Sequence, residues 1–207
     1  MTLRERLPAA EPSVSLRPMA EYDNAPGPTE GAVGFPLVYV GEASKRRKID
    51  GHDLSLYQQP HIKGNRNAAW RAAWYLVNAW LFQSAVLALI PSRWKATILR
   101  AFGAKVGNGF VCKPRVTIKY PWFLEIGDHV WLGELVWIDN HTTVKIGNSV
   151  CISQGAYLFT GNHDWNDPAF RFFCAPIEIG DGCWVGAGVS IAPGTRIACG
   201  TVSAIKA

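Results

Sequence analysis

The sequence predicts a mainly β fold, a parallel β-helix of hexapeptide repeats, preceded by a helical segment and a disordered tail. Three observations carry this. An apolar residue returns every six positions: Val106, Cys112, Ile118; then Ile126, Leu132, Ile138; then Ile146, Ile152, Leu158; then Ile179, Val185, Ile191, with Ile197 opening a further turn. Gly follows the ladder residue at 107, 127, 133, 147, 180 and 186. Four positions after the ladder residue stands a mostly small or β-branched one, as at Val116, Val130, Val136, Val150, Ala156 and Val189, with Phe110, Trp122 and Asn162 breaking the rule. A six-residue unit is too short for a helix pair. It suits a short strand plus a turn, one side of a triangular coil.

Taken in order, residues 1–64 are rich in Pro, Gly, Glu and Ser and read as a disordered tail with few apolar clusters, Phe35-Pro36-Leu37-Val38-Tyr39-Val40 among them. Residues 65–104 read as helical. From Arg66 to Ile90 there is no Gly or Pro, and from Ala72 to Ile90 no charge. That is long enough to span a bilayer. However, Asn78, Gln83 and Ser84 interrupt the run, and basic residues flank both ends alike, so the charge bias sets no orientation. Crossing a membrane, lying on one, and packing against the β-helix or a neighbouring subunit all stay open. Pro91 ends this helix, and Ser92 is expected to cap a second one with an apolar stripe of Trp94, Ile98 and Phe102, closed by Gly103. Residues 66–103 suit peripheral contact with a membrane as well as a lid on the first coil.

The β-helix domain is expected over 105–207. Its coils begin at 106, 126 and 146, but the next, at Ile179, comes roughly a dozen residues late. The surplus is a loop from Gly161 to Pro176 that contains Asn162-His163-Asp164-Trp165-Asn166-Asp167-Pro168. An aliphatic ladder performs no chemistry, so the single long excursion is where chemistry is expected. Ala207 falls inside a fifth coil, and the domain is expected to be incomplete at its C-terminal end.

The formal charge of the 207 residues is +5 and the pI about 9.0, which suits a polyanionic polymer, a CoA phosphate or an anionic membrane equally. Five Cys (112, 151, 174, 183, 199) make an odd number without a C-x-x-C pair, which argues for reduced thiols and a cytoplasmic setting. No apolar run follows the first residues, so no export signal is expected. No P-loop, nucleic-acid motif or Ser-His-Asp spacing is present.

The ladder, the Gly161-Asn162-His163-Asp164 loop opening and Ile179-Gly180-Asp181-Gly182-Cys183-Trp184-Val185-Gly186 resemble the left-handed β-helix acetyltransferases. Leu99-Arg100-Ala101-Phe102-Gly103-Ala104-Lys105 and Thr117-Ile118-Lys119-Tyr120-Pro121-Trp122 are most similar to the colanic-acid-type polysaccharide O-acetyltransferases. The resemblance covers roughly residues 57 to 202. It implies left-handed winding, against the general right-handed rule for parallel crossovers. It also implies acetyl-CoA as co-substrate without a metal, and a homotrimer with active sites between adjacent subunits. The acceptor would be a sugar hydroxyl in an exopolysaccharide or cell-surface glycan, and the setting the cytoplasm or the inner face of its membrane.

Acyl transfer to an alcohol needs a base of near-neutral pKa, which a histidine supplies. By resemblance His163 is that base, the backbone amide near Ala187 beside Gly186 receives the oxyanion, and Trp184 walls the cleft for cofactor or acceptor. Asp139, Asn140 and Glu134 are the expected contacts to sugar hydroxyls, and CoA would lie in grooves between coils. Two other readings remain: acetylation of a small free sugar, amino sugar or antibiotic, and a catalytically dead scaffold. A zinc β-helix enzyme would need a close His pair, which His129, His141 and His163 do not offer in sequence.

Overall fold

The computed structural model describes residues 38–39, 53–58, 66–84 and 91–203. The chain divides into units 1–33 and 34–207, and all described residues lie in the second. Within the span read as a disordered tail, Val38–Tyr39 forms a strand and Leu54–Leu56 a 3-10 turn; the rest of that span lies almost entirely outside the described residues.

From Lys105 onward the chain winds into stacked parallel coils with three sides. The first side carries five strands, Lys105–Val106, Leu124–Ile126, Val144–Ile146, Ile177–Ile179 and Arg196–Ile197. The second carries five, Val111–Cys112, Trp131–Leu132, Cys151–Ile152, Trp184–Val185 and Val202–Ser203, and the third carries four, Thr117–Ile118, Trp137–Asp139, Tyr157–Phe159 and Ser190–Ile191. The expected ladder is the observed register: Val106, Ile126, Ile146, Ile179 and Ile197 lie side by side, as do Ile118, Ile138, Leu158 and Ile191. Both inward positions of most hexapeptides fill the core. Leu132, Ile152 and Leu158 are buried from the ladder set, and Val116, Val130, Val136 and Ala156 from the set four residues on.

Two backbone requirements explain the glycines. A Cβ on Gly127 would stand 2.8 Å from the carbonyl carbon of Gly147 in the next coil, so at this corner the stacking itself excludes a side chain. The residue three after the ladder adopts positive φ at every turn that follows a first- or second-side strand, and at Gly194 after Ile191 on the third. Where it is not Gly it is Arg115, His129, Leu135 or Ser149, each carrying on the order of 1 kcal/mol of backbone strain. His129 is therefore a turn residue.

A parallel stack leaves its first coil with carbonyls facing no neighbour. Lower in the stack the ladder carbonyls accept from the amides above, Gly107 N–H to Ile126 at 2.8 Å and Lys119 N–H to Ile138 at 2.9 Å. In the first coil, side chains of the helical segment replace those amides on all three sides. Arg100 Nε donates to Val106 at 2.8 Å, Lys95 Nζ to Cys112 at 3.1 Å and Trp74 Nε1 to Ile118 at 2.9 Å. Lys95 is buried, its ammonium 5.9 Å from the centre of the Phe82 ring, and the carbonyls and that ring replace its water.

The helical segment departs from the sequence expectation twice. Helix α1 covers Ala68–Val77, capped by the Asn67 side chain, and continues as one wide π turn, Asn78–Phe82, before ending at Gln83. The uninterrupted helix to Ile90 is thus not formed, and 85–90 lie outside the described residues. Trp74, Asn78 and Phe82 are the buried residues here, four apart. At 3.6 residues per turn that spacing drifts about 40° per step, and the wider turn brings Phe82 back onto the core side. Helix α2 covers Ser92–Ala101 with Pro91, not Ser92, at its N-cap. The Ser92 hydroxyl instead accepts from Cys112 N–H at 3.0 Å, standing in for a missing strand. No described helix is long and apolar enough to cross a membrane.

If Trp74 terminates the third sheet, Trp74→Phe keeps most of the packing but strips the Ile118 carbonyl of its donor. A loss of about 1–3 kcal/mol in urea unfolding is expected; Trp74→Ala should lose about 3–5 kcal/mol.

Candidate active site

The excursion after the third coil is a β-hairpin, Gly161–His163 antiparallel to Phe172–Cys174, and Val38–Tyr39 adds a third antiparallel strand to its outer edge. Its tip is shaped by side-chain turns: Asp164 Oδ1 accepts from Asn166 N–H and Asp167 Oδ1 from Ala169 N–H, each at 2.9 Å. Gly161 is required where it stands, because a Cβ would press into the Phe172 ring and lie 3.0 Å from His141 Cδ2.

His163 is held from several directions. Its Nδ1 lies 2.8 Å from the Phe170 carbonyl oxygen. A carbonyl only accepts, so Nδ1 is the donor, and in the neutral ring the lone pair is on Nε2. The imidazole stacks on the Phe170 ring at 4.4 Å and 5°, and meets Phe172 and Tyr57 edgewise at 5.3 Å each. Tyr57 comes from the N-terminal segment, which is tied to the excursion by Asp53 N–H donating to the Pro168 carbonyl at 3.0 Å. Burial raises the Tyr57 phenol above its ordinary pKa. Nothing in the sequence marked Tyr57, because its neighbour is more than a hundred positions away.

On the third side, next to this hairpin, a polar cluster surrounds Asp139. The Lys119 ammonium lies 2.7 Å from Asp139 Oδ1 and 2.8 Å from His141 Nε2, and the Tyr157 hydroxyl donates to Asp139 Oδ2 at 3.3 Å. Burial and then the Lys119 charge hold the His141 imidazole down, from 6.5 to about 4. Burial and the Asp139 carboxylate push the Tyr157 phenol up to about 12. Phe172 bridges the two histidines, its ring 4.9 Å from His141 and 5.3 Å from His163.

The expected roles divide by place. Asp139 stands near the His163 hairpin. Asn140 is not a sugar contact: it is fully buried, its Oδ1 accepting from Tyr120 N–H at 2.9 Å and its Nδ2 donating to Tyr120 C=O at 2.8 Å. Both ends of its amide are committed to the backbone. Thr160, likewise buried and unmarked in the sequence, accepts from the His141 and Thr142 amides.

Glu134 and Ala187 each stand two residues past a ladder residue, at the corner between the second and third sides. A pocket of about 400 Å³ opens there, lined by Lys113, Trp131, Glu134, Ser153 and Gln154. Trp184 is half exposed and donates from Nε1 to Ser153 Oγ at 2.8 Å. Gly186 is buried, its amide given to the Ser203 carbonyl at 2.6 Å, while Ala187 is exposed. One chain therefore puts His163 and Asp139 at one corner of the prism, and Glu134, Trp184, Gly186 and Ala187 at another. Among the described residues no group of His, Cys, Asp and Glu is arranged to hold a metal ion.

Two measurements follow. Asn140→Ala should act on stability, lowering it by about 2–4 kcal/mol because two buried backbone groups of Tyr120 lose their partner; chemical denaturation reads this. The folded state keeps His141 neutral down to about 4, whereas the unfolded chain protonates at 6.5. Unfolding hence takes up a proton in that window: the contribution is complete above 6.5 and falls as pH drops toward 4. His141→Gln is expected to flatten that part of the stability curve, and an unchanged slope would assign it to other groups.

No family model matches the chain. It is 40% identical over 150 residues, 72% of its length and 81% of the relative's, to the putative colanic acid biosynthesis acetyltransferase WcaF of Escherichia coli. It is 29% identical over 114 residues to the putative acetyltransferase YJL218W of Saccharomyces cerevisiae, which spans 53% of this chain and 58% of that one. Among solved structures it resembles the hexapeptide-repeat acetyltransferase VCA0836 of Vibrio cholerae complexed with acetyl-CoA, with TM-score 0.59 and 21% identity over 73% of this chain and 85% of that one. A galactoside acetyltransferase in complex with CoA shares the fold with TM-score 0.57 and 21% identity, over 66% and 68% of the two chains. With the coils, the excursion after the third of them and the extent of identity to the colanic acid enzyme taken together, the chain belongs to the hexapeptide-repeat acetyltransferases, in the colanic acid biosynthesis group.

Proposed function

We propose that the protein transfers an acetyl group from acetyl-CoA to a sugar hydroxyl of an exopolysaccharide or cell-surface glycan, with His163 as general base. The observation that carries the base assignment is the His163 Nδ1 hydrogen bond to the Phe170 carbonyl, which fixes the tautomer with Nε2 as the acceptor. In this reading Nε2 takes the acceptor hydroxyl proton as the oxygen attacks the thioester carbonyl. The Ala187 amide donates to the resulting oxyanion. Collapse breaks the carbon–sulfur bond, and the departing CoA sulfur recovers the proton from Nε2. Phe170, Phe172 and Tyr57 hold the ring in place and keep water from its faces, so little reorganisation accompanies the transfer.

The two groups of site residues lie at different corners of one prism, which supports assembly of the complete site between copies, as a homotrimer provides. The corner with the pocket, Trp184 and Ala187 would receive acetyl-CoA, and Asp139, beside the His163 hairpin, the glycan. Glu134 borders the same pocket and would meet acceptor hydroxyls reaching across from the neighbouring copy.

His163→Ala should reduce turnover about 10²–10⁴-fold while leaving acetyl-CoA affinity, read by tryptophan fluorescence or calorimetry, nearly unchanged. Intact turnover in that variant removes His163 as the base. A folded native protein that binds no acetyl-CoA at millimolar concentration is a scaffold.

A further inference from the structure

Helix α1 and its π turn bury Trp74, Asn78 and Phe82 against the first coil. Its opposite face holds Ala69, Ala73, Leu76 and Trp80, all exposed and none charged, with Leu76 64% and Trp80 73% accessible. A surface helix ordinarily carries its charges on the face turned from the core. This one is apolar on both faces, and the β-helix covers one of them. On α2, Trp94 is 57% accessible, on the side away from buried Lys95, Ala96 and Leu99. Three large apolar side chains are thus left outward on a single cap.

Charge decides what covers them. Residues 66–103 carry five basic residues and no acidic one. Arg66, its guanidinium 5.9 Å from the centre of the Trp70 ring, and Arg93 are exposed on this cap. A second copy docking cap to cap would oppose like charges, an arrangement that is repulsive. An anionic bilayer surface answers both features, since tryptophans settle at headgroup depth and arginines pair with phosphates. No described helix is long enough to cross, so the contact lies in the plane of the interface.

We propose that the helical cap docks the protein onto an anionic phospholipid surface, with Leu76, Trp80 and Trp94 entering the boundary between headgroups and acyl chains and Arg66 and Arg93 on the phosphates. This is independent of the acceptor chemistry above, because none of these residues belongs to the His163 hairpin or to the corner with the pocket.

The full chain should be sedimented with vesicles of equal parts phosphatidylglycerol and phosphatidylcholine, and with phosphatidylcholine alone. Binding is expected to the first and not the second, and to weaken as salt rises. The double variant Leu76→Ser/Trp80→Ser should lose at least about tenfold in partitioning, as should Arg66→Glu/Arg93→Glu. Both change exposed side chains, so the unfolding midpoint and acetyl-CoA affinity should stay at native values, which separates failure of docking from failure of the transferase reading. Equal sedimentation with both vesicle types, or none with either, overturns the proposal. A Leu76→Ser/Trp80→Ser protein that is smaller than the native one by light scattering also overturns it, by assigning the face to a second copy.

Discussion

A stack of parallel coils hydrogen-bonds only upward and downward, so its first coil is a sheet edge on three sides at once. Such edges recruit other strands unless they are covered. Here three long side chains, from Trp74, Lys95 and Arg100, each reach one ladder carbonyl, and Ser92 supplies an acceptor for the amide beside one of them. The sequence between residues 66 and 103 is organised by this demand. It explains why a lysine is buried in a small domain and why Ser92 is taken from its helix.

The hairpin that carries His163 stands where the repeat is interrupted. The Gly161–His163 hairpin leaves the stack after the third coil, and its return strand is paired on one edge by His163's own strand and on the other by Val38–Tyr39. A loop that departs from a repetitive scaffold could be loose. This one is stiffened by strand addition, by two aspartate turns at its tip and by the aromatic packing of Phe170, Phe172 and Tyr57 around the imidazole. Next to it, the Lys119, Asp139, His141 and Tyr157 cluster keeps a charged pair beside a histidine that stays neutral, so the corner presents ammonium, carboxylate and phenol together.

Legibility in the sequence followed the length scale of the interaction. The ladder was readable to the residue, because each coil repeats the same local geometry and the register is fixed by period alone. The excursion was readable because it breaks that period. The positive-φ turn position three residues after most ladder residues was there to be read at Gly109, Gly155, Gly182, Gly188, Gly194 and Gly200, but Arg115, His129, Leu135 and Ser149 hide it. Asn140 was expected among the sugar contacts by resemblance alone; its pairing with Tyr120, one coil above, turns it inward. Tyr57 and the termination of the first coil depend on contacts between distant segments of different secondary structure, and no periodicity reports those.

The capped first coil also bears on the order in which the chain folds. Contacts in a solenoid are mostly between neighbours, so folding can start wherever one unit is stable alone and spread from there. In this chain the helices that satisfy the first coil precede it in sequence and leave the ribosome before it. A coil completed against them has its outer edge closed and its other edge open to the next coil, so the order of synthesis and the order of stacking coincide. The one pause falls at the fourth coil, which closes over the 161–176 hairpin; lengthening that loop from about 20 to about 33 residues adds under about 1 kcal/mol of closure entropy. Synthesis thus delivers the terminator first and the interruption late, when three coils are already available to template the remainder.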